Sequence, residues 1–571
     1  MIFNRLSLSV STFLVLFSGV VFSQTPADAG GEGTDKCIVF TTPGTSGFDI
    51  SAAPDPVEGI VFPEGTTIGD ITYTQFPIFD SSDPFENNWL FQLVDTLHID
   101  TKEKVLRDQL LFRSGEAFSS RILDEAGRSL RDSNYLYDAR VWPYQLCGER
   151  VDVEVLTREV WTLSTGFSLS RSGGADEESI WLSDSNFLGR GETFAIERTT
   201  STDRDGFSFH YADPNVAGSR HTLDLTYADN DDGFQTIVDV QRPFYSLDTQ
   251  DAWGLIYNDN ERIDDLYDRG EEIASFQANI KQAEIYYGRS NGWQNGVTRR
   301  WWYGIRVQEE IYSPAEGETE PAVFPTNKKI NYPFVAYNKI EENFIKIINL
   351  NNMHRIEDFN LGRTWGLRLG IADESFGSDR DRLVYSASLR DAWQLTEGIL
   401  LQWEIGVDGM WQYDIDKSED VQVVSKLRFY DGVGESHGTY LALDARWSRE
   451  LPVNKQMLLG PEENLRGYPA RYQSGDRSFV FTAEHRFYTD WHLFRLLRVG
   501  GAVFFDAGRA WFPGDENKDA TGILADAGFG LRFASSRAQT KTILHVDIAF
   551  PFEKQDDIDS YQIVVTTKQS F

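Results

Sequence analysis

From residue 162 to residue 571 the chain repeats one pattern, short runs in which apolar and polar residues alternate with a period of two. That period belongs to the β-strand, where successive side chains leave the backbone on opposite faces. Leu401, Trp403, Ile405 and Val407 oppose Gln402, Glu404, Gly406 and Asp408. Ala525, Ala527, Phe529, Leu531 and Phe533 oppose Asp526, Gly528, Gly530 and Arg532. Leu544, Val546, Ile548 and Phe550 oppose His545, Asp547 and Ala549. Tyr561, Ile563, Val565, Thr567 and Phe571 oppose Gln562, Val564, Thr566 and Lys568. Such alternation builds either a soluble sandwich, apolar face inward, or a membrane barrel, apolar face outward.

Composition favours the barrel. Mean hydropathy is −0.39, yet aromatic residues make up 13% of the chain, with 15 Trp, 23 Tyr and 39 Phe. A barrel hides its hydrophobicity in this way, because only every second residue of a strand meets lipid. Aromatics such as Trp181, Phe187, Trp301, Trp302, Trp447 and Trp511 stand near strand ends, and the chain closes on Phe571 within a strand pattern. The fold expected is mainly β, a C-terminal transmembrane β-barrel over 162–571. Formal net charge is −34, which excludes nucleic acid as a partner and argues against clinging to anionic lipid.

The N-terminus reads as an export signal. Residues 1–23 carry Arg5, then an apolar run from Val10 to Phe22, then small residues before Gln24. The run is short for a transmembrane anchor, and no later segment supplies about 20 uninterrupted apolar residues. Residues 24–65, rich in Gly, Ala, Pro, Ser, Thr and Asp, read as a flexible linker with one apolar patch at 38–40. Cys37 and Cys147 are the two cysteines. In an exported protein they form one disulfide or remain two thiols, and spacing alone does not choose.

Residues 66–161 read as a compact α+β domain. A strand at 68–79 precedes a helix over 101–112 with Thr101 as its N-cap and Leu106 and Leu110 one turn apart. A second helix, capped by Ser119 or Ser120, repeats Ile122, Ala126 and Leu130. Two strands follow, in which Ala139 and Val141, then Val151, Val153 and Val155, alternate with charged residues. The strand-helix-helix-strand-strand order, with LRDQLLFRSGEAFSSRILDEAGRSLRDSNYLYDARV at 106–141, resembles a POTRA module, the periplasmic domain of the BamA/TamA superfamily.

Three marks in the C-terminal third carry the same resemblance, which includes the bacterial surface antigen family. Leu465-Arg466-Gly467-Tyr468 matches its [VL]RG[FY] loop signature. Phe504-Phe505-Asp506-Ala507-Gly508 matches a strand with an inward Asp, and Asp526-Ala527-Gly528-Phe529-Gly530-Leu531-Arg532 matches a glycine-rich GxGLR strand. The resemblance implies about sixteen antiparallel strands, whereas reading by eye yields up to about twenty segments. The surplus lies between 161 and 350, as loop hairpins or as halves of long strands.

The loop at 451–478 is polar, glycine-punctuated and too long for a passive connector. If Val503 and Phe505 face lipid, Asp506 faces the lumen. An Arg466–Asp506 pair would then pin the loop inside the barrel through a charge-assisted fork. Gly467 and Tyr468 would lie against the wall, and Gly528 and Gly530 would leave room for the tip. In the family such a loop accompanies a weak seam between first and last strands, here near 162–172 and 561–571. Phe571 would serve as a terminal assembly signal.

The resemblance implies insertion or translocation of unfolded polypeptide clients at the outer membrane, with outer-membrane lipid as a second partner. A periplasmic or inner-membrane partner reached through the POTRA module belongs to the same expectation. A single module points to a few dedicated clients. The alternatives are a passive porin-like channel and a two-partner secretion transporter. No enzyme is expected and no cofactor. Gly44-Thr45-Ser46-Gly47 lacks the nucleophile-elbow spacing, no HExxH occurs, and the acidic turn at 229–233 lacks an EF-hand's distal Glu.

Overall fold

The computed structural model describes residues 37–40, 62–172, 175–201, 204–514, 522–538, 542–568 and 570–571. The expected signal peptide and most of the 24–65 linker lie outside the described residues.

The N-terminal domain comprises β1 (Cys37–Val39), β2 (Thr67–Phe76), α1 (Trp89–Leu97), α2 (Glu103–Gln109), α3 (Ser120–Asp132), β3 (Leu136–Cys147) and β4 (Arg150–Glu159). The sheet order is β1-β3-β4-β2, with β2 parallel to β4 and the other pairs antiparallel. One sheet face and the two helices α2 and α3 share a core of Leu106, Phe118, Leu123, Ala126, Leu130 and the three valines of β4. Part of the expected linker is therefore structured: residues 37–40 add a fourth strand, and Cys37 is bonded to Cys147. Three expectations change in detail. Thr101 does not cap α2, because its hydroxyl is drawn into the fold, donating to Glu159 at 2.9 Å. The buried stripe of α3 is Leu123, Ala126 and Leu130, with Ile122 half-buried at its margin and packed on the same core. Helix α1, capped by Asn88, is an extra element that the alternation of its neighbours did not announce.

The barrel begins with β5 (Leu163–Ser172), β6 (Ala175–Asp184), β7 (Thr193–Ser201), β8 (Asp205–Asp213), β9 (Thr222–Asn230) and β10 (Gly233–Arg242). The long strands β11 (Asp251–Asp268), β12 (Glu271–Gln294), β13 (Val297–Pro314) and β14 (Lys328–Glu341) follow. A small hairpin, β15 (Phe344–Ile348) and β16 (Ile356–Asn360), pairs only with itself. The wall resumes with β17 (Thr364–Ala372), β18 (Arg382–Thr396), β19 (Ile399–Gln412), β20 (Lys417–Asp431) and β21 (His437–Arg449). It ends with β22 (Arg477–Leu493), β23 (Leu497–Trp511), β24 (Leu524–Ser535), β25 (Ile543–Pro551) and β26 (Gln562–Lys568). Each strand pairs antiparallel with its neighbours, and β26 returns to β5, closing twenty strands.

Twenty strands replace the sixteen that the family resemblance implied. The surplus at 161–350 is real wall, because every segment from β5 to β14 carries full ladder pairing on both sides or meets the seam. The pleat explains the surface. Tyr287, Tyr303, Val335 and Leu369 stand opposite one another on four adjacent strands, all pointing out and exposed. Trp301, Tyr337 and Trp365 form a girdle, with ring centroids 4.6 and 5.0 Å apart. Inward neighbours are charged, as where Arg368 donates to Glu284 at 2.8 Å. Apolar outside and polar inside is the arrangement lipid selects.

The N-terminal domain covers one mouth. Arg131 of α3 grips Asp358 of the hairpin with two bonds of 2.7 Å, and Arg128 reaches Glu342 at 2.7 Å. The Leu247 amide, between β10 and β11, donates to Glu125 at 2.7 Å. The hairpin turns into this mouth, burying Leu350 among Phe359, Ala392, Leu400 and Tyr430 and Met353 beside Tyr488 and Phe571. From the opposite end comes the connection between β21 and β22.

Candidate functional site

The β21–β22 connection leaves the wall at Arg449 and rejoins it at Arg477. Between these it doubles back, Leu459 and Gln473 exchanging bonds of 2.8 and 3.2 Å, and its tip tightens at Asn464, which takes a left-handed conformation. The tip enters the lumen rather than solvent because its apolar residues have a wall to pack on. Leu465, Tyr468 and Tyr472 bury against Val480, Ala510 and Leu524. Gly508 of β23 makes space, since a side chain there would run into Leu465 and Val480.

Arg466 is 1% exposed and Asp506 0%. Arg466 donates from Nε to Asp506 Oδ2 at 2.8 Å and from Nη2 to Oδ1 at 3.1 Å. Its third nitrogen, Nη1, lies 3.0 Å from Glu484 and 3.3 Å from Asp547. The guanidinium plane rests 3.3 Å from the ring centroid of Phe504. Every nitrogen of the fork is thus spent on the wall, which is how arginine tolerates complete burial. Gly467 makes the close approach: its amide donates to Asp526 at 3.0 Å, and a Cβ there would sit 2.7 Å from the Asp526 Cβ. The Tyr468 hydroxyl donates to the Ala525 carbonyl at 2.8 Å and accepts from the Ala525 amide at 3.1 Å, anchoring the loop to the start of β24.

The expectation for Gly528 and Gly530 needs correcting. A Cβ on Gly528 would strike the Phe504 ring, and one on Gly530 would strike the Asp547 carboxylate. These glycines make room for the wall groups that hold Arg466, not for the loop tip itself. Arg532 pairs with Asp547 through both of its terminal nitrogens.

Phe571 also departs from the alternation, which placed it with outward Tyr561 and Ile563. The ladder ends at Lys568, and the chain then turns in: the Phe571 amide donates to the Asn351 carbonyl at 2.8 Å, and its ring packs 4.6 Å from Tyr488.

Sequence reasoning singled out Arg466 and Asp506 but not the rest of the network. Four carboxylates, Glu484, Asp506, Asp526 and Asp547, face four cations, Arg466, Arg486, Arg532 and Lys568, on β22 to β26 and the loop. The signal was present, since all the wall members occupy polar positions of the final strands' alternation. Two links could not be seen that way. Lys568 of the last strand donates to Asn464 in the loop at 2.5 Å. Arg486, bonded to Glu484 at 3.0 Å, donates to the Leu350 carbonyl of the hairpin at 3.2 Å. The loop from one end and the hairpin from the other therefore meet through one ion pair.

Residues 364–571, from the first residue of β17 to the last of the chain, match the family model of the Omp85 superfamily domain. No curated protein matches the chain. Similar solved structures include BamA from Haemophilus ducreyi lacking POTRA domains 1-3, 13% identical, covering 88% of this chain and 85% of that one, with a TM-score of 0.36. CdiB from Escherichia coli is 12% identical over 90% of this chain and 92% of its own, TM-score 0.45. CdiB from Acinetobacter baumannii is 11% identical over 89% and 90%, TM-score 0.41.

Proposed function

We propose that this chain, whose residues 364–571 match the Omp85 superfamily domain, is an outer-membrane β-barrel that inserts or translocates polypeptide there for a small set of clients. It does so without enzymatic chemistry or a cofactor. The domain at 66–161 acts as its single POTRA module in the periplasm.

The observation that supports this reading is the seam. Every other pair of neighbouring barrel strands shares seven or more registered residue pairs, whereas β26 and β5 share one among the described residues, Val565 opposite Arg171. A strand edge that carries few ladder pairs is a template for another strand. A porin has no use for such a seam, nor for a lumen occupied by a loop from one end and a hairpin from the other. The charge network fits the same purpose. Buried ion pairs contribute little net stability, but they impose one geometry. Here the geometry holds the loop against β22 to β25, the strands that lead up to the seam, and Lys568 ties that loop to the seam strand β26 itself.

The test is to lock the seam. Arg171→Cys with Val565→Cys is oxidised in cells, and the outer-membrane and exported proteins are compared with those of each single variant. Loss of one or a few proteins from the locked variant alone supports the proposal. An unchanged protein profile with the cross-link formed overturns it. A fall in small-solute uptake instead would identify a channel.

A further inference from the structure

Helix α1 has two faces that differ in what covers them. Phe91 and Val94 turn inward, where Phe91 stacks on Phe79 with ring centroids 4.1 Å apart, in a cluster with Ile78, Trp161 and Leu496. At 100° per residue, Trp89, Leu90, Leu93 and Leu97 fall within a single arc about 100° wide. That arc is exposed, Trp89 at 75% and Leu97 at 64%. Gln92 and Thr96 border it, and no charged residue interrupts it. Phe85, just before the helix, is also bare.

The helix is fixed to the barrel. Asp83 pairs with Arg495 at 3.1 Å, Arg537 donates to the Ile78 carbonyl at 2.8 Å, and Arg537 also pairs with Glu86. Arg495 belongs to the β22–β23 turn; the end of β22 exposes Trp491 and Leu493 there, and the turn itself exposes Phe494 at 82%. Above this turn the outer face of β23 continues into exposed Val503 and Phe505, part of the lipid-facing belt. The apolar stripe of α1 thus extends an interface the barrel already has with lipid. It lies at the inner end of the seam, where the Trp161 amide, just before β5, donates to the Arg537 carbonyl at 2.7 Å.

We propose that α1 is a membrane-lying helix, its Trp89-Leu90-Leu93-Leu97 stripe seated among the lipids of the leaflet on the domain's side of the barrel. The partner is the interfacial region of the same bilayer. An uncharged apolar stripe rimmed by aromatics suits acyl chains and headgroup boundary, where such helices bury to about 5–10 Å. Seated there, α1 fixes the orientation of the domain against the membrane independently of what the barrel transports.

The test uses the full chain reconstituted in phosphatidylethanolamine–phosphatidylglycerol bilayers. Both native cysteines are bonded to each other, so single cysteines at Leu93, Leu97, Gln92 and Thr96 can carry an environment-sensitive fluorophore, with Ile563→Cys as the lipid-facing reference. The labels on Leu93→Cys and Leu97→Cys are expected to be quenched by brominated lipid at least about twice as strongly as those on Gln92→Cys and Thr96→Cys, and comparably to the reference. Equal access of aqueous iodide to all four positions overturns the proposal. Shielding of Leu93→Cys and Leu97→Cys from both quenchers also overturns it, since a protein surface, from a second copy or another part of the chain, would then be the cover.

Discussion

Arg466 and Asp506, 40 positions apart in the chain, meet side-on inside the barrel through two bonds of 2.8 and 3.1 Å, with no exposed surface on the carboxylate. The same guanidinium also faces Glu484 and Asp547, so it neutralises more than one acid.

Arg466→Ala leaves these carboxylates facing an empty space. Removing one partner of a buried pair costs about 3–5 kcal/mol, enough to unseat the loop. Limited proteolysis should then cut within 450–476 where the parent resists. Arg466→Lys should fall between the two, because an ammonium keeps the charge but cannot span Asp506, Glu484 and Asp547 together. A simple charge swap of Arg466 and Asp506 should restore little, since an acid at 466 would confront Glu484 and Asp547.

Gly467→Ala should act through space alone. Its Cβ would lie 2.7 Å from the Asp526 Cβ and 3.0 Å from the Pro551 nitrogen, both on the rigid wall or its margin. The cost is about 1–3 kcal/mol of overpacking. Hydrogen exchange at the Ala525 amide, which Tyr468 accepts, should speed up in Gly467→Ala and in Tyr468→Phe.

The lumen is obstructed from both ends, and single-channel recording should show it. Replacing 344–360 with a short turn, or excising 455–474, should each leave small, fluctuating conductance. Only the double deletion should give steady, large openings. A large steady pore in the unaltered protein would show that neither element blocks it.

Docking of the domain should depend on pH through Glu125. Burial holds its carboxyl above the ordinary value of 4.5, outweighing the Leu247 amide and Arg121 that favour the anion. The docked state therefore binds the proton more tightly than the undocked one. Docking is fully supported below 4.5 and weakens as pH rises through the raised value. Glu125→Gln keeps the acceptor for Leu247 and removes the charge. The protection factors of α3, taken relative to the intrinsic base-catalysed exchange rate, should then lose their pH dependence across that window, while the parent's fall with rising pH.

Much of this was legible in the residues. Strand periodicity located the barrel and the starts of its first and last strands to within one residue, because an apolar outside and a charged inside leave an unambiguous alternation. The Arg466 tip was legible from its isolation in a long glycine-punctuated connection. Strand number was not, since β11 to β13 are long enough to read as two strands each, and β5 to β10 are short enough to read as hairpins. Phe571 misled because parity predicts direction only while the ladder lasts, and pairing stops at Lys568. Helix α1 was missed since its apolar stripe faces away from the domain, so it lacks the neighbours that make a helix obvious.

The hairpin between β14 and β17 is gripped by Arg131 of the N-terminal domain at Asp358, and it gives its Leu350 carbonyl to Arg486, the partner of Glu484, which in turn meets Arg466. The two ends of the barrel are therefore joined by a chain of contacts that runs down the middle of the cylinder rather than around its circumference. If a ligand bound at the domain changes the affinity of the outer loop for a second ligand through that chain of contacts, thermodynamic reciprocity requires the second ligand to change the domain's affinity for the first by the same factor. A reporter on one side can then be read by a ligand on the other.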